Sequence, residues 1–265
     1  MGDQKPVIFI HGLWIHGSSW QSWIDHYRAA GYESVAPGWP GDADSVAATR
    51  ANPAAVAGHG IAEIYDTFAR AARSTGTTPI VVGHSFGGLI AQKLVTEGVA
   101  AAAVAIDPAP IRGVRKLPLS QLRSAFPVLS RRKNRTGAVS LTQRQFRYGF
   151  GNVLSREESD ELHSRWTIPG PGRPLFEVAS AKKDPSSPAA VDTARGDRGP
   201  LLIIGAEKDH TVPGSVAREA YDLYSGSPAV TDFHLYADRG HSLVFDKGWR
   251  QVADRTLGWL RERGF

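Results

Sequence analysis

Ser85 stands in Gly83-His84-Ser85-Phe86-Gly87, the one Gly-x-Ser-x-Gly of the chain. Chance supplies such a pattern about 0.2 times at this length and composition. Residues 79–82 before it form an apolar burst that reads as a strand, and the sequence from Gly88 onward reads as a helix. A sharp strand-to-helix turn holds its central residue in a strained conformation and tolerates only small neighbours, which the flanking glycines supply. Ser85 Oγ would then stand clear of the strand ends, placed to attack a carbonyl carbon.

A serine hydroxyl is a weak nucleophile near neutral pH, so it needs a base, itself held in one tautomer by a buried acid. Of nine histidines, His241 in Asp238-Arg-Gly-His-Ser-Leu is best placed, after the last strand-like burst and before the C-terminal helix. The expected acid is Asp209, in the segment that begins where the burst 201–204 stops. Asp107, at the end of the neighbouring burst, is the alternative, although Asp-Pro also commonly opens a turn. Glu207 is a spare candidate.

Attack on a carbonyl creates an oxyanion, and losing one preorganised donor to it typically costs ~10²–10³ in turnover. The Phe86 N–H, at a helix start where amides point outward, is one expected donor. For the second, Leu13 N–H in His11-Gly12-Leu13-Trp14 is favoured over Trp14 N–H. His11, His84 and His16 are read as structural hydrogen-bonders, and His16 is also a pocket candidate. Trp14, Phe126, Phe146, Tyr148 and Trp166 are the main candidates for an apolar pocket wall, with Phe86, Phe150 and Phe176 beside them.

The elements that must position these residues follow from hydrophobic patterning. Short, solidly apolar bursts at 7–10, 34–36, 79–82, 102–106, 201–204 and 232–236 fit buried parallel strands. Between them lie amphipathic helices, with Ile61, Ile64, Tyr65, Phe68 and Ala72 on one face of the first clear case. The alternation predicts an α/β fold with an open sheet. One interval, between the strands ending near Ile106 and starting near Leu201, is too long to be structureless. Leu119, Leu122, Phe126 and Leu129 repeat there with helical spacing, and Thr142 with Gln145 and Ser155 with Glu158 can form capping boxes. Residues 108–199 are therefore expected to be an inserted helical cap, and 1–107 with 200–265 the core domain.

Composition narrows the chemistry. The 265 residues include no cysteine, which excludes disulfides, thiolate metal sites and a cysteine nucleophile. Residues 108–199 hold 17 Lys+Arg against 8 Asp+Glu, whereas the rest hold 14 against 18. A basic cap of this kind is either a solvated face or a means of steering an anionic substrate. No interleaved aromatic and basic motif speaks for nucleic acid. The longest apolar run, at 99–106, is far short of the ~20 residues a spanning helix needs, and position 6 is Pro where a myristoylation signal wants Ser or Thr. The expectation is a soluble, cytoplasmic protein with a small-molecule substrate and no membrane or nucleic-acid partner; the oligomeric state is not legible.

The order Ser85…Asp209…His241, with the His-Gly loop, the Gly-His-Ser-Phe-Gly-Gly elbow, the Gly-x-x-x-Asp-x-x-Val-Pro loop and the Gly-His loop, resembles the α/β-hydrolase fold family over the whole length. The resemblance implies a Ser-Asp-His triad without metal or organic cofactor and a helical cap after the sixth strand of an eight-stranded sheet. Too few residues precede Val7 for the family's first two strands, so six parallel strands are expected. It also implies a serine hydrolase of the carboxylesterase type, acting through an acyl-enzyme on an ester, lactone or thioester; the pocket candidates suggest one of small to medium size and hydrophobic, and the basic cap one that is anionic. Family members that use a carboxylate nucleophile, haloalkane dehalogenases and epoxide hydrolases, are disfavoured by Ser85. Lyases and C–C bond hydrolases share the triad and remain the alternative; a lyase would want an extra pocket cation, for which Lys208 and Lys182 are candidates. A ligand-binding protein without activity is the third possibility.

Overall fold

The computed structural model describes residues 5–265. Chain order runs β1 (Val7–Ile10), β2 (Ser34–Val35), β3 (Ile80–His84), β4 (Ala102–Ile106), a short antiparallel pair β5 (Ala138–Val139) and β6 (Gly170–Pro171), then β7 (Leu201–Ala206) and β8 (Thr231–Tyr236). Six of these form one parallel sheet in the order β2-β1-β3-β4-β7-β8. The apolar bursts fall on it because its four inner strands are buried at every residue, leaving no wet face to alternate with. The outer strands β2 and β8 are partly exposed. The sheet thus has the six expected parallel strands.

Helices α1 (Gln21–Ala29), α2 (Val46–Ala51), α3 (Ile61–Arg73) and α4 (Phe86–Thr96) occur in the first half. The second half carries α5 (Leu119–Leu129), α6 (Gln143–Gly149), α7 (Arg156–Trp166), α8 (Arg173–Ser180), α9 (Gly214–Asp222) and α10 (Trp249–Glu262). Right-handed crossovers decide which face each helix covers. From β1 the chain moves outward to β2, and from β3 it moves the other way through β4 and β7 to β8, so α1 and α4 lie on opposite faces. In agreement, α1 packs with α10, while α4 lies along β1, β3 and β4 with α3 against it. The reversal between β1 and β3 opens a crevice at the carboxyl ends of those strands, where ligands of open α/β sheets bind.

At the turn around Ser85 two boundaries differ from the sequence reading for local reasons. β3 runs on to His84, because Ser85 N–H still donates to Ile106 O (2.9 Å) and the ladder persists up to the turn. The helix after it starts at Phe86 rather than Gly88. Of the two expected capping boxes, Thr142 and Gln145 form one in full. Ser155 caps α7, but the Glu158 carboxylate turns instead to Lys247 N–H (3.1 Å).

The interval between β4 and β7 holds α5 to α8 and the β5–β6 pair. It docks on the carboxyl-end loops: Trp14 Nε1 donates to Val139 O (3.0 Å), Ile168 N–H to Trp14 O (2.8 Å) and Asn152 Nδ2 to Lys208 O (2.8 Å). No helix among the described residues is long and apolar enough to cross a membrane.

On the α1 face, Phe9 sits in an aromatic cage, stacked on Trp20 (5.0 Å between centroids) and edge-on to Trp23 and Tyr27. All four are buried. Truncating a buried ring loses its transfer free energy and leaves a cavity. Phe9→Ala is expected to lower the unfolding free energy by about 3–5 kcal/mol, read from urea denaturation; a loss below about 1 kcal/mol would show that the cage does not anchor β1.

Candidate active site

Three non-glycine residues among those described have positive φ: Trp14 (69°), Ser85 (56°) and Asp107 (40°). They follow β1, β3 and β4 in turn, at the reversal crevice. Such strain persists only where the surroundings over-determine it. For Ser85 the surroundings are backbone. A Cβ on Gly87 would lie 2.1 Å from Ile10 O, and one on Gly83 would lie 2.0 Å from Gly87 O. Ser85 O also accepts from Gly88, Leu89 and Ala109 N–H.

The loop after β1 closes against the same turn. A Cβ on Gly12 would approach Ser85 Cβ to 2.8 Å, so only glycine lets the two chains come this close. Among the described residues the N–H groups of Leu13 and Phe86 have no backbone acceptor, and neither has Trp14 N–H. Phe86 N–H is the first of α4, where unpaired amides and the helix dipole favour negative charge.

His241 follows β8, and its Nδ1–H donates to Asp209 Oδ2 at 2.5 Å, both side chains fully buried. A carboxylate can only accept, so this bond places the imidazole proton on Nδ1 and leaves Nε2 with a free lone pair. Nε2 is buried and has no partner among the described residues. Asp209 is itself fixed, since its Oδ1 accepts from Thr211 N–H (2.6 Å) and Val212 N–H (2.9 Å). The imidazole lies edge-on to Phe150 (4.7 Å) and against the ring of His84 (4.6 Å), the residue before Ser85. Ser85 and His241 form no hydrogen bond with each other here.

Asp107 does not reach the histidine in place of Asp209; it stands behind the pair. Its Oδ1 accepts from Ala206 N–H (2.7 Å), and its buried Oδ2 has no acceptable donor nearby. Burial first, then the charge of Asp209 and hydrogen bonding with it, push the Asp107 carboxyl well above the ordinary range. It is therefore read as the protonated member of a carboxyl pair. Burial, then His241, push the His84 imidazole well below its ordinary value, so it is neutral. His84, Asp107 and His241 offer donor atoms within 4.8 Å of one another, the one such trio among the described residues. A cation there would need the Asp107 carboxyl ionised, against the direction in which its surroundings push it, so the trio suits a proton-bearing site better than a metal. Glu207, the spare candidate, is exposed.

A cavity of about 260 Å³ adjoins Ser85. Trp14, Phe86, Thr211 and Val212 form its floor side; residues 109–117, α5 and α8 form the rest. Of the pocket candidates, Trp14 and Phe86 line this cavity, whereas His16, Phe126, Phe146, Tyr148, Phe150, Trp166 and Phe176 do not. His16 is committed to the backbone, with Nε2–H donating to Ala43 O (2.9 Å) and Nδ1 accepting from Ser18 N–H. Phe146 is core, stacked on Phe150 (5.1 Å). Tyr148 lies under the Arg123 guanidinium (4.2 Å), Trp166 lines a separate crevice beside α7, and Phe126 points to solvent. Lys182 lines the cavity, whereas Lys208 does not. The part of the wall the sequence reading missed is largely aliphatic, notably Ile111, Val114, Leu122 and Val178, and carries no motif.

Residues 7–255 match the model of the Alpha/beta hydrolase family. No curated protein matches the sequence. Among solved structures, a monoacylglycerol lipase of Paleococcus ferrophilus is 20% identical with TM-score 0.67, covering 97% of this chain and 95% of its own. A thermophilic esterase of Thermogutta terrifontis is 16% identical with TM-score 0.68, covering 99% and 91%. An extracellular alpha/beta-hydrolase of a Paenibacillus species is 17% identical with TM-score 0.69, covering 96% and 98%. At these identities the likeness concerns the fold.

The Asp107 carboxyl yields a stability test. Its folded pKa is raised above the unfolded value, so folding takes up a proton once the pH exceeds the ordinary carboxylate range. Its contribution to stability is full below that range and is lost as pH rises toward the folded pKa. Asp107→Asn has no proton to take up, so its stability relative to the parent should increase from pH 5 to pH 8 in urea denaturation. A difference that stays constant or reverses would mean that Asp107 is ionised in the folded protein.

Proposed function

The chain belongs to the alpha/beta hydrolase family, and we propose that within it the protein is a serine hydrolase of carboxylic esters, of the carboxylesterase type. The observation that carries this reading is the buried hydrogen bond from His241 Nδ1 to Asp209, at the same sheet edge as the strained Ser85 and the unpaired Leu13 and Phe86 amides.

In the proposed reaction the substrate carbonyl lies against Ser85 with its oxygen toward the Leu13 and Phe86 N–H groups. Ser85 Oγ bonds to the carbonyl carbon as its proton passes to His241 Nε2, and Asp209 balances the imidazolium. The tetrahedral oxyanion collapses, the alcohol leaves with the Nε2 proton, and an acyl-enzyme remains. Water then attacks the acyl carbon, gives its proton to Nε2 and releases the acid with Ser85 restored. Side chains, substrate and water supply every proton and electron pair. Residues 108–199 act as a cap, since the cavity wall opposite Ser85 is drawn largely from them. That wall suits a hydrocarbon acyl group of small to medium length. Lactones and thioesters present the same carbonyl. Lys182 at the wall favours a second reading, a lyase or C–C bond cleaving enzyme with the same three residues, because it could hold an anionic leaving group.

Turnover of p-nitrophenyl esters tests both the assignment and the pocket. Ser85→Ala should lose at least ~10³ in kcat and Asp209→Asn ~10³–10⁴, while Asp107→Asn loses less than about tenfold. kcat/KM should rise from acetate toward hexanoate, up to about fourfold per buried methylene. A larger loss for Asp107→Asn than for Asp209→Asn would reverse the acid, and absence of ester turnover in the parent would favour the lyase.

A further inference from the structure

Helix α5 turns a stripe of large apolar side chains outward. Its apolar side chains at helical spacing, Leu119, Leu122 and Phe126, are 83%, 41% and 67% exposed, and Leu117 just before it is 59% exposed. Its inward face is mixed: Gln121 and Val128 are buried, and Ser124 Oγ bonds Thr211 Oγ1 at 2.8 Å. Four of the seven exposed large hydrophobic residues described thus fall within ten positions. An apolar cluster rimmed by charge marks an interaction surface.

The rim has one sign. Residues 108–155 contain ten Lys and Arg and no Asp or Glu. Among the described residues, Arg147 is the only one of the ten in an ion pair. Glu219 reaches this stretch, but its carboxylate accepts from the backbone N–H of Arg115 and Lys116, leaving their side chains free. Arg112, Arg115, Lys116 and Arg123 flank the apolar cluster, and residues 131–135 add four more cations directly after α5.

We propose that α5 and its flanking segments form a docking surface for an anionic lipid bilayer, with the Leu and Phe side chains in the acyl boundary and the cations against headgroup phosphates. Apolar burial and cation attraction to an anionic leaflet act together in such interfacial segments. A lipid surface fits better than a protein partner, because the exposed side chains are aliphatic or Phe, with no polar tips to fix a partner's register. Leu117 and Leu122 are also both exposed and part of the cavity wall, so the cavity beside Ser85 reaches the surface within this cluster. An acyl chain could therefore pass from a bilayer into the cavity without crossing water. That last point rests on the proposed ester chemistry; the docking does not. The chain needs no spanning helix for it.

Sedimentation with vesicles tests the proposal, using equal parts of phosphatidylcholine and phosphatidylglycerol against phosphatidylcholine alone. The protein should pellet with the anionic vesicles only and be released by high salt. Leu119→Ser/Phe126→Ser lies outside the cavity wall and should weaken binding about tenfold or more while leaving turnover of a water-soluble ester unchanged. Arg131→Glu/Arg132→Glu is an independent variant and should weaken binding by about fivefold or more per charge. Ser85→Ala should bind as the parent does, so failure of the catalytic reading would not be mistaken for failure of docking. The proposal is overturned if the parent stays in the supernatant or if both variants bind as the parent does. It is equally overturned if size-exclusion chromatography shows a dimer that Leu119→Ser/Phe126→Ser converts to monomer, since the cluster would then be covered by a second copy.

Discussion

The hydrogen bond from His241 Nδ1 to Asp209 Oδ2 governs what this site can do. Both groups are buried, so an unpaired member would be costly and the pair settles in one geometry. The bond decides the tautomer and leaves Nε2 as the one basic nitrogen of that ring. Asp209 is held in turn by two backbone amides of its own loop, so orientation passes from the end of β7 to the imidazole without a flexible link. Asp107 adds a second carboxyl behind the first. Two carboxylates so close would not both ionise, and the proton falls on the one whose environment is poorer in donors.

The sheet topology makes the convergence possible. The strand order reverses between β1 and β3, so the loops after these strands diverge to opposite faces and leave a crevice between them. Register keeps the strand ends level: Ile10 pairs with Gly83, Gly83 with Ala105, and Ile106 with Ile204. The positive φ values at Trp14, Ser85 and Asp107 are the local cost of turning three neighbouring chains in little space. Glycines at 12, 83 and 87 relieve the crowding that a Cβ would create there.

Features set by a few neighbouring residues were legible in the sequence. The elbow at Ser85, the six strands and the positions of Asp209 and His241 at strand ends all follow from local pattern and chain order. Features set by register or by the direction a helix faces were not. The pairing of Asp107 with Asp209 depends on Ile106 lying beside Ile204, which no spacing announces. Periodicity at Leu119, Leu122 and Phe126 correctly implied a helix with an apolar face, but 3.6-residue spacing cannot say whether that face turns inward. The same limit misplaced Phe126 in the pocket. Phe146, Tyr148 and Trp166 lie away from the cavity beside Ser85, because aromatic side chains have large area to bury and packing takes them, whereas residues 109–117 and aliphatic side chains of α5 and α8 line much of it.

Every step of the proposed reaction requires Ser85 to be a nucleophile activated by His241. Treatment with a fluorophosphonate, followed by tandem mass spectrometry and a time course of labelling, examines that directly. One phosphonyl group should attach to Ser85, and His241→Gln should slow its attachment by ~10³ or more. Attachment at another residue, or an equal rate in His241→Gln, would contradict the account.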